Sequence, residues 1–406
     1  MKRLFLLPLL VSSIASANAE NWPGWRGPRG DGTCLEKNVP LHWSAHSNVV
    51  WKTELPGAGH ASPIVWRDQV FLAAADGDNR ILISLDRETG KIRWRKVVVT
   101  APLEKKHSLN SHASSTPATD GTLVYVTFLD RGQMVVAAYD HAGHQRWLVR
   151  PGEFQSMHGF CSSPVLFQDK VIVNGDHDGD SYIVAISRND GSTLWKTMRD
   201  NHTRSYCVPI ILPLAGRTQM VLSGDKCVAS FDPNDGSRHW VIQGPTEQFV
   251  ASLVYNTSHD ILFLTGGFPE LHVLGIRPNG RGDVTQTHIA WRSNKGVSYV
   301  PSPISFGDYF FIVSDGGIAS CFEAVSGRIR WQERLEGDHH ASLISANGLI
   351  YFLSDAGRMT VVNAKPDFEI VARNDLDEKT FASPAISEGQ IFLRSDKHLF
   401  CIQEPR

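Results

Sequence analysis

The sequence predicts an all-β protein built as an eight-bladed β-propeller with four-stranded blades. Three observations support this prediction: a tryptophan recurs every 40 to 53 residues, a glycine turn precedes most of these tryptophans, and a second short phrase recurs eight times. A period of this length, carrying short strands and tight turns, is typical of a propeller. The recurring tryptophans are Trp51, Trp94, Trp147, Trp195, Trp240, Trp291 and Trp331.

The tryptophan phrase explains how neighbouring blades would pack. In its clearest copy, Asp86 and Gly90 precede Trp94. A large ring lies flat on a neighbouring backbone only where no side chain intervenes, and glycine leaves that gap. We therefore interpret the tryptophans as blade-docking residues, whose truncation to alanine would cost about 3–5 kcal/mol. The glycines expected to receive the rings are Gly90, Gly191, Gly236 and Gly327.

The second phrase opens each predicted blade and often carries serine followed by proline, as at Ser62 and Ser302. An apolar strand, an Asp/Gly hairpin, a third strand and the tryptophan strand follow, which makes four strands per blade. Because the serines recur from blade to blade, we interpret them as structural and not as a nucleophile. The eight openings begin at His60, Ser114, Cys161, Tyr206, Val250, Val300, His340 and Phe381.

The two ends of the repeat region complement each other. The eighth opening is followed by no tryptophan strand, and Val49–Glu54 is preceded by no opening. The sequence therefore predicts that Val49–Glu54 is the outermost strand of the last blade and closes the ring, which hides exposed sheet edges. Two repeats deviate: the fifth has a swollen turn at 277–283, and the seventh has Val371 where tryptophan is expected.

The remaining segments predict the domain organisation. Residues 1–19 resemble a cleavable export signal, with a basic start, the apolar stretch Leu4–Val11 and a small-residue cleavage site ending at Ala19. Residues 20–47 are expected to pack irregularly on the ring, and residues 48–406 to form the propeller. We therefore expect a periplasmic or secreted monomer without a transmembrane segment.

Charge and cysteine content narrow the function classes. The formal net charge of −2 argues against a nucleic-acid partner, which requires a basic surface. The six cysteines form no CxxC motif and are expected to act as small buried residues, although the sequence leaves their disulfide state open. The acidic turn at 176–180 resembles the start of a calcium loop but lacks its glycine and glutamate, so we interpret it as a turn.

Residues just before each inner strand are expected to surround one mouth of the central channel. Histidines there would bind a metal or an anion, and aromatic rings would stack on a planar ligand; the alternative is that these side chains plug the channel. We assign no catalytic residue and no metal site. The candidate binding residues are His60, His112, His158, Tyr206, Tyr299, His339, His340 and Phe381.

The phrase from Ser84 to Trp94 resembles the tryptophan-docking motif of the pyrroloquinoline quinone (PQQ) repeat family, with Asp86, Thr89 and Gly90 in place. The resemblance covers about residues 48–403. It implies an eight-bladed propeller and includes two functional classes. One comprises non-enzymatic BamB-like propellers of outer-membrane protein assembly, and the other comprises quinoprotein dehydrogenases, which hold PQQ and calcium.

The dehydrogenases carry adjacent cysteines, a calcium-binding set and a catalytic aspartate, for which this sequence offers no matching positions. We therefore expect an exported, non-enzymatic module that binds or scaffolds envelope proteins or peptides and needs no cofactor. Two alternatives stay open. One is a PQQ-dependent dehydrogenase of alcohols or sugars, with PQQ and Ca²⁺ as cofactors. The other is a propeller that binds glycans or small molecules.

Overall fold

The structure is a computed structural model that describes residues 20–404; the predicted export signal lies outside the described residues. Within that range the chain is all-β, and eight sheets, each with four antiparallel strands, form the eight blades of a propeller, as predicted. The same range contains no helix long and apolar enough to cross a membrane.

Two strands precede the first complete blade, β1 (Thr33–Cys34) and β2 (Val49–Glu54). Blades one to three each contain four consecutive strands, from the channel outwards. These are β3 (Ile64–Trp66), β4 (Gln69–Asp76), β5 (Asn79–Asp86) and β6 (Ile92–Thr100); β7 (Ala118–Thr119), β8 (Leu123–Asp130), β9 (Gln133–Asp140) and β10 (Gln145–Glu153); and β11 (Val165–Phe167), β12 (Lys170–Gly175), β13 (Tyr182–Ser187) and β14 (Thr193–Met198).

Blades four and five share a region of the chain, because a short strand of the fifth repeat joins the fourth sheet. The strands of blade four are β15 (Ile210–Leu214), β16 (Arg217–Gly224), β17 (Cys227–Phe231) and β18 (Arg238–Gln243). Blade five follows with β19 (Val254–Asn256), β20 (Ile261–Gly266) and β21 (His272–Ile276), then β22 (Gly282–Asp283), which pairs with blade four, and β23 (Ile289–Ser293).

The last three blades complete the ring. They contain β24 (Ile304–Phe306), β25 (Tyr309–Val313), β26 (Ile318–Glu323) and β27 (Ile329–Arg334); β28 (Ile344–Ala346), β29 (Leu349–Leu353), β30 (Arg358–Asn363) and β31 (Ile370–Asp375); and β32 (Ala385–Ser387), β33 (Gln390–Arg394) and β34 (His398–Ile402). The strand β2 supplies the outer edge of blade eight, where Trp51 pairs with Cys401 and Glu54 with His398. The predicted ring closure is therefore confirmed.

The hydrophobic core lies between the blades. One buried cluster joins Phe71 and Leu82 of blade one to Val126 of blade two, and another joins Ile172 of blade three to Leu222 of blade four. Each sheet thus buries both faces against its neighbours, which explains why the middle strands are apolar along nearly their whole length.

The recurring tryptophans lie at these junctions. The indole Nε1 of Trp51 donates to the carbonyl oxygen of Arg87 in the next blade at 2.8 Å, and a Cβ atom added to Gly90 would lie only 2.5 Å from the Trp51 ring. Six of the seven tryptophans donate to a turn carbonyl of the following blade. The acceptors are Arg87, His141, Arg188, Pro233, Ala324 and Lys365.

A β-bulge turns each outer strand at the tryptophan position. In blade one, Ser84 pairs with Trp94 but the next residue, Leu85, pairs with Ile92, and the other blades shift register in the same way. In blade seven this register places Ala372, opposite Val361, at the tryptophan position. The assignment of Val371 was therefore wrong by one residue, because the preceding loop is one residue longer.

Trp240 departs from the docking pattern. Its Nε1 donates to the Gln219 side chain at 2.8 Å, within the same blade. The reason is the swollen turn of the fifth repeat, whose strand β22 pairs in parallel with β18 and covers the fully buried Trp240 ring. Gln219 also donates to the carbonyl of Pro278 at 2.9 Å and so ties this turn to blade four.

Residues 20–47 run across the inner ends of several blades. Trp22 exchanges two backbone hydrogen bonds with Val65 of blade one, and the strand β1 pairs in parallel with β28 of blade seven. Further along, the Trp43 amide donates to the Asn374 side chain at 2.9 Å. Trp43 shares a buried cluster with Ala372, so an indole from this segment lies in the region where blade seven lacks its own.

The docking geometry yields a stability prediction. Gly90→Ala would place a methyl group against the Trp51 ring at a φ of +70°, whereas Gly132→Ala has a φ of +78° but open space around it. We expect Gly90→Ala to lower the free energy of unfolding by about 3–5 kcal/mol and Gly132→Ala by about 1–2 kcal/mol. Denaturant unfolding followed by tryptophan fluorescence measures both. Equal losses would contradict the docking role.

Candidate functional site

The opening phrases build a cavity at one end of the central channel. The first residues of these phrases, and the third residues except Ser252, line this cavity because side chains of extended backbone alternate in direction. The first residues form an upper ring that lines a cavity of about 650 Å³. Its members are His60, Ser114, Cys161, Tyr206, Val250, Val300, His340 and Phe381.

The third residues form a hydroxyl belt below that ring. Six of the eight backbone N–H groups at these positions donate to a hydroxyl of the next blade, for example Ser62 to Thr116 at 2.9 Å and Ser342 to Ser383 at 2.9 Å. Val208 interrupts the belt in blade four. The belt hydroxyls that line the cavity are Ser62, Thr116, Ser163, Ser302, Ser342 and Ser383.

The serines therefore link neighbouring blades by hydrogen bonds, which agrees with their interpretation as structural. Most of these six hydroxyls accept a hydrogen bond from a backbone N–H of the neighbouring blade. None of the six donates to a protein acceptor within residues 20–404. A hydroxyl rotates to suit its partner. The lower cavity thus offers a circle of O–H donors to a ligand with acceptor atoms.

The N-terminal segment supplies the floor. Trp25 lines the cavity from below, and the adjacent Arg26 is buried. The Arg26 guanidinium donates to the carbonyl of Pro303 at the blade-six opening and to that of Asp31 at 2.6 Å. Burial lowers the pKa of Arg26 to about 10, which leaves it charged at neutral pH. The channel is therefore a cup with Trp25 at its base.

The structure places six of the eight predicted candidates in the cup lining: His60, His158, Tyr206, Tyr299, His340 and Phe381. The other two lie outside it. The His112 ring pairs with the carbonyl of Glu104 at 2.9 Å, and the buried His339 ring turns back to the carbonyl of Gly337 at 3.2 Å. Both residues precede an opening phrase, and only within that phrase do side chains alternate regularly. The direction of these two rings therefore depends on the conformation of the loop before it. A binding role for the six remains a prediction.

One wall of the cup is a stack of three rings. Phe381 lies between His60, with ring centroids 4.6 Å apart, and His340, at 6.0 Å. Burial, together with the charges of Arg394 and Lys106, lowers the pKa of His60 to about 4, so its ring is neutral at physiological pH. This wall therefore presents flat, uncharged surface at His60 and Phe381.

His340 behaves differently because it has an acidic partner. Burial is the largest single influence and opposes its charged form, but the hydrogen bond from Nδ1 to Asp355 at 2.6 Å and the negative charges of Asp355, Asp315 and Asp338 together raise the pKa of His340. The same carboxylate accepts the His340 backbone N–H at 3.0 Å. His340 is thus held in one orientation as a donor.

The opposite wall carries most of the residues that the sequence did not reveal. Arg204 lines the cup while donating to Asp178 at 2.7 Å, and Gln248 donates to the Tyr299 hydroxyl at 2.6 Å. His107 lies edge-on to His158, with centroids 5.4 Å apart. Arg204 and Gln248 stand two residues before an opening phrase, which is the sequence feature that could have indicated them; His107 belongs to the connection between blades one and two.

The rim is apolar and exposed. Met157 is 61% exposed, Phe268 is 59% exposed, and Leu109 lies beside them in the lining. Exposed apolar groups around a concave site are typical of a surface that contacts another molecule. Only tertiary structure brings them together, because they come from three different connections.

The acidic turn at 176–180 contributes no metal site. Asp176 is buried and pairs with Arg199 at 2.9 Å. Across residues 20–404, no three histidine, cysteine or acidic side chains come together as metal ligands. All six cysteines are free, and burial raises the pKa of the cup-lining Cys161 thiol to about 12. The lining thus offers surface and hydrogen bonds, and its thiol stays protonated.

Comparison with known proteins assigns the family. A family model described as outer membrane protein assembly factor BamB matches residues 42–147, 104–259 and 281–367, which is most of the chain. The chain belongs to this family. No curated protein sequence matches it.

Solved structures of the same fold extend this result. BamB from Moraxella catarrhalis superposes with a TM-score of 0.62 at 16% identity, covering 88% of this chain and 97% of that one. Quinohemoprotein alcohol dehydrogenase from Comamonas testosteroni gives 0.64 at 11% identity, covering 95% and 81%. A europium-containing methanol dehydrogenase gives 0.56 at 10% identity, covering 93% and 90%. At these identities the likeness establishes the fold.

The half-buried His60 ring yields a pH prediction. The unfolded chain takes up a proton near its ordinary pKa of about 6.5, but the folded chain does so only near 4, so stability falls as pH decreases between these values. We expect His60→Gln to weaken this dependence, making the loss between pH 7 and 4.5 smaller by about 2 kcal/mol. Urea unfolding at both pH values measures it. A variant with the wild-type pH profile would contradict a neutral His60 ring in the folded protein.

Proposed function

We propose that this protein is an exported, non-enzymatic propeller that binds a segment of another envelope protein in its cup. The observation that supports the proposal is the cup itself: a concave site with aromatic walls, a circle of hydroxyl donors and an exposed apolar rim. Such a surface suits a peptide that inserts an apolar side chain and presents backbone carbonyls to the hydroxyls.

The chemistry of the lining supports binding over catalysis. The His60 ring is neutral and stacked, the Cys161 thiol is protonated, and the belt hydroxyls are used by backbone donors from adjacent blades. A nucleophile requires an adjacent base or a lowered pKa. Within residues 20–404, neither the Cys161 thiol nor any belt hydroxyl is hydrogen-bonded to a histidine or carboxylate side chain. The proposal of export to the periplasm or beyond rests on residues 1–19, which resemble an export signal.

Site-specific crosslinking in cells tests the binding site. A photoreactive residue at Met157, on the rim, is expected to capture a discrete partner, whereas the same residue at Val325, equally exposed but on a turn of blade six remote from the lining, is not. Adding Val300→Arg, which fills the cup, is expected to reduce the Met157 adduct at least about tenfold, because a central contact carries most binding energy. Val325→Arg is the matched control. An adduct that survives Val300→Arg would contradict the cup as the binding site.

A second candidate is a PQQ-dependent dehydrogenase, favoured by the fold shared with the quinohemoprotein enzyme. The residues present fit this cofactor poorly. Asp315 is the one carboxylate in the described lining, and both of its oxygens already accept backbone N–H groups, from Tyr299 at 2.9 Å and Val300 at 3.0 Å. Calcium takes six to eight oxygen ligands in proteins, several of them carboxylates.

We therefore expect purified protein mixed with PQQ and Ca²⁺ to reduce no dye in the presence of alcohols or sugars. A spectroscopic titration with PQQ separates binding from turnover. Dye reduction that requires both additions would reverse this assignment and replace the binding module with an oxidoreductase.

A further inference from the structure

Glu20 is anchored by its backbone and its side chain. Its backbone nitrogen donates to Glu36 Oε1 at 2.9 Å, and its carbonyl oxygen accepts from the Ser387 hydroxyl at 2.6 Å. Its carboxylate pairs with the Arg29 guanidinium at 2.6 Å and accepts the Leu35 N–H at 2.9 Å. With a second bond from Arg29 at 3.0 Å, five hydrogen bonds hold Glu20 and fix the position of its nitrogen.

The Glu36 carboxylate that receives this nitrogen is buried, with 2% of the residue exposed. It also accepts the backbone N–H groups of Glu388, at 2.6 Å, and Gly389. Among residues 20–404, no lysine, arginine or histidine forms an ion pair with it. A buried carboxylate is costly without a positive partner. The site is therefore complete in hydrogen bonds and incomplete in charge.

The small-residue motif at 17–19 places the predicted cleavage site directly before Glu20. We infer that removal of the export signal completes the Glu36 site, because the new α-ammonium group of Glu20 becomes its counter-ion. The step is hydrolysis of the Ala19–Glu20 peptide bond by an export-linked endopeptidase. Water supplies the oxygen of the Ala19 carboxylate, and the Glu20 nitrogen leaves as an amine that takes up a proton.

The ion pair joins two parts of the molecule that ring closure depends on. Ser387 to Gly389 form the turn between β32 and β33, in the blade that β2 completes. Glu20 to Glu36 include Trp25, the floor of the cup. Cleavage thus adds an ion pair between residues 20–36, which include the Trp25 floor, and blade eight. The exported form is therefore more stable than the unprocessed one.

The stabilisation by the Glu20 α-ammonium group depends on pH. An α-amino group has an ordinary pKa of roughly 7.7–8.0, and pairing with a carboxylate raises it in the folded state. The stabilisation is complete below the ordinary pKa and is lost as pH rises through the raised one. The charged and titratable groups facing the site are the Glu20 carboxylate, Arg29, Cys34, Glu36, Glu388 and Arg87.

A thermodynamic cycle tests it. The mature protein starting at Glu20 is compared with one carrying a Gly-Ser extension, each with Glu36 and with Glu36→Gln. We expect the extension to lower Tm by at least about 3 °C at pH 7, and this difference to vanish in the Glu36→Gln pair and at pH 10. Equal Tm values for mature and extended protein, or the same difference in both backgrounds, would overturn the inference.

Two measurements remain informative if Glu36→Gln fails to fold. The rate of N-terminal acylation against pH, followed by mass spectrometry, reports the α-amine pKa of the mature wild-type protein, which we expect to exceed 8. An unshifted pKa would contradict the buried pair. The intact mass of the exported protein locates the cleavage site, and a first residue other than Glu20 would also overturn the inference. Neither result depends on what the cup binds.

Discussion

The structure depends on the contact of an indole ring with glycine backbone at the blade junctions. At Gly90 and Gly327 the ring of the preceding blade lies so close that a methyl group has no room. This contact fixes the distance between successive sheets at the junctions where it occurs, and it therefore contributes to the width of the ring. The dimensions of the channel and of the cup depend on this spacing of the sheets. The same glycines adopt positive φ, so backbone conformation and close packing select the residue together.

The cup is a consequence of strand alternation repeated around a ring. Because the opening phrase is extended, its first and third residues share a direction, and eight copies produce two stacked circles of side chains. The lower circle serves the fold, since its hydroxyls accept N–H groups across blade boundaries. The upper circle is free to vary from blade to blade, and there the histidine, tyrosine and phenylalanine residues are found. Structure and recognition are thus divided between alternate positions of one phrase.

The N-terminal segment contributes in three places. It supplies the Trp25 floor, it lays Trp43 beside the blade whose own tryptophan position is Ala372, and it continues into β2, which closes the ring. Apart from the two-residue strand β1, this segment is irregular, and it performs these tasks because its backbone groups are paired with strands of the blades. Loss of its anchoring would therefore affect the cup and the closure together.

The sequence by itself determined the blade count, the strand order, the closing strand and the docking tryptophans, because each is written as a local phrase with a fixed spacing. Of the upper ring, the sequence indicated His60, Tyr206, His340 and Phe381, because each of them begins a recurring opening phrase. Tertiary structure decided the rest. His112 and His339 turn away from the channel because loop conformation sets their direction, and Ala372 replaces Val371 because one extra loop residue shifts the register. Trp25, Arg204 and Phe268 come from distant parts of the chain, and they meet at the cup only because the closed ring arranges the blades and the N-terminal segment around one channel.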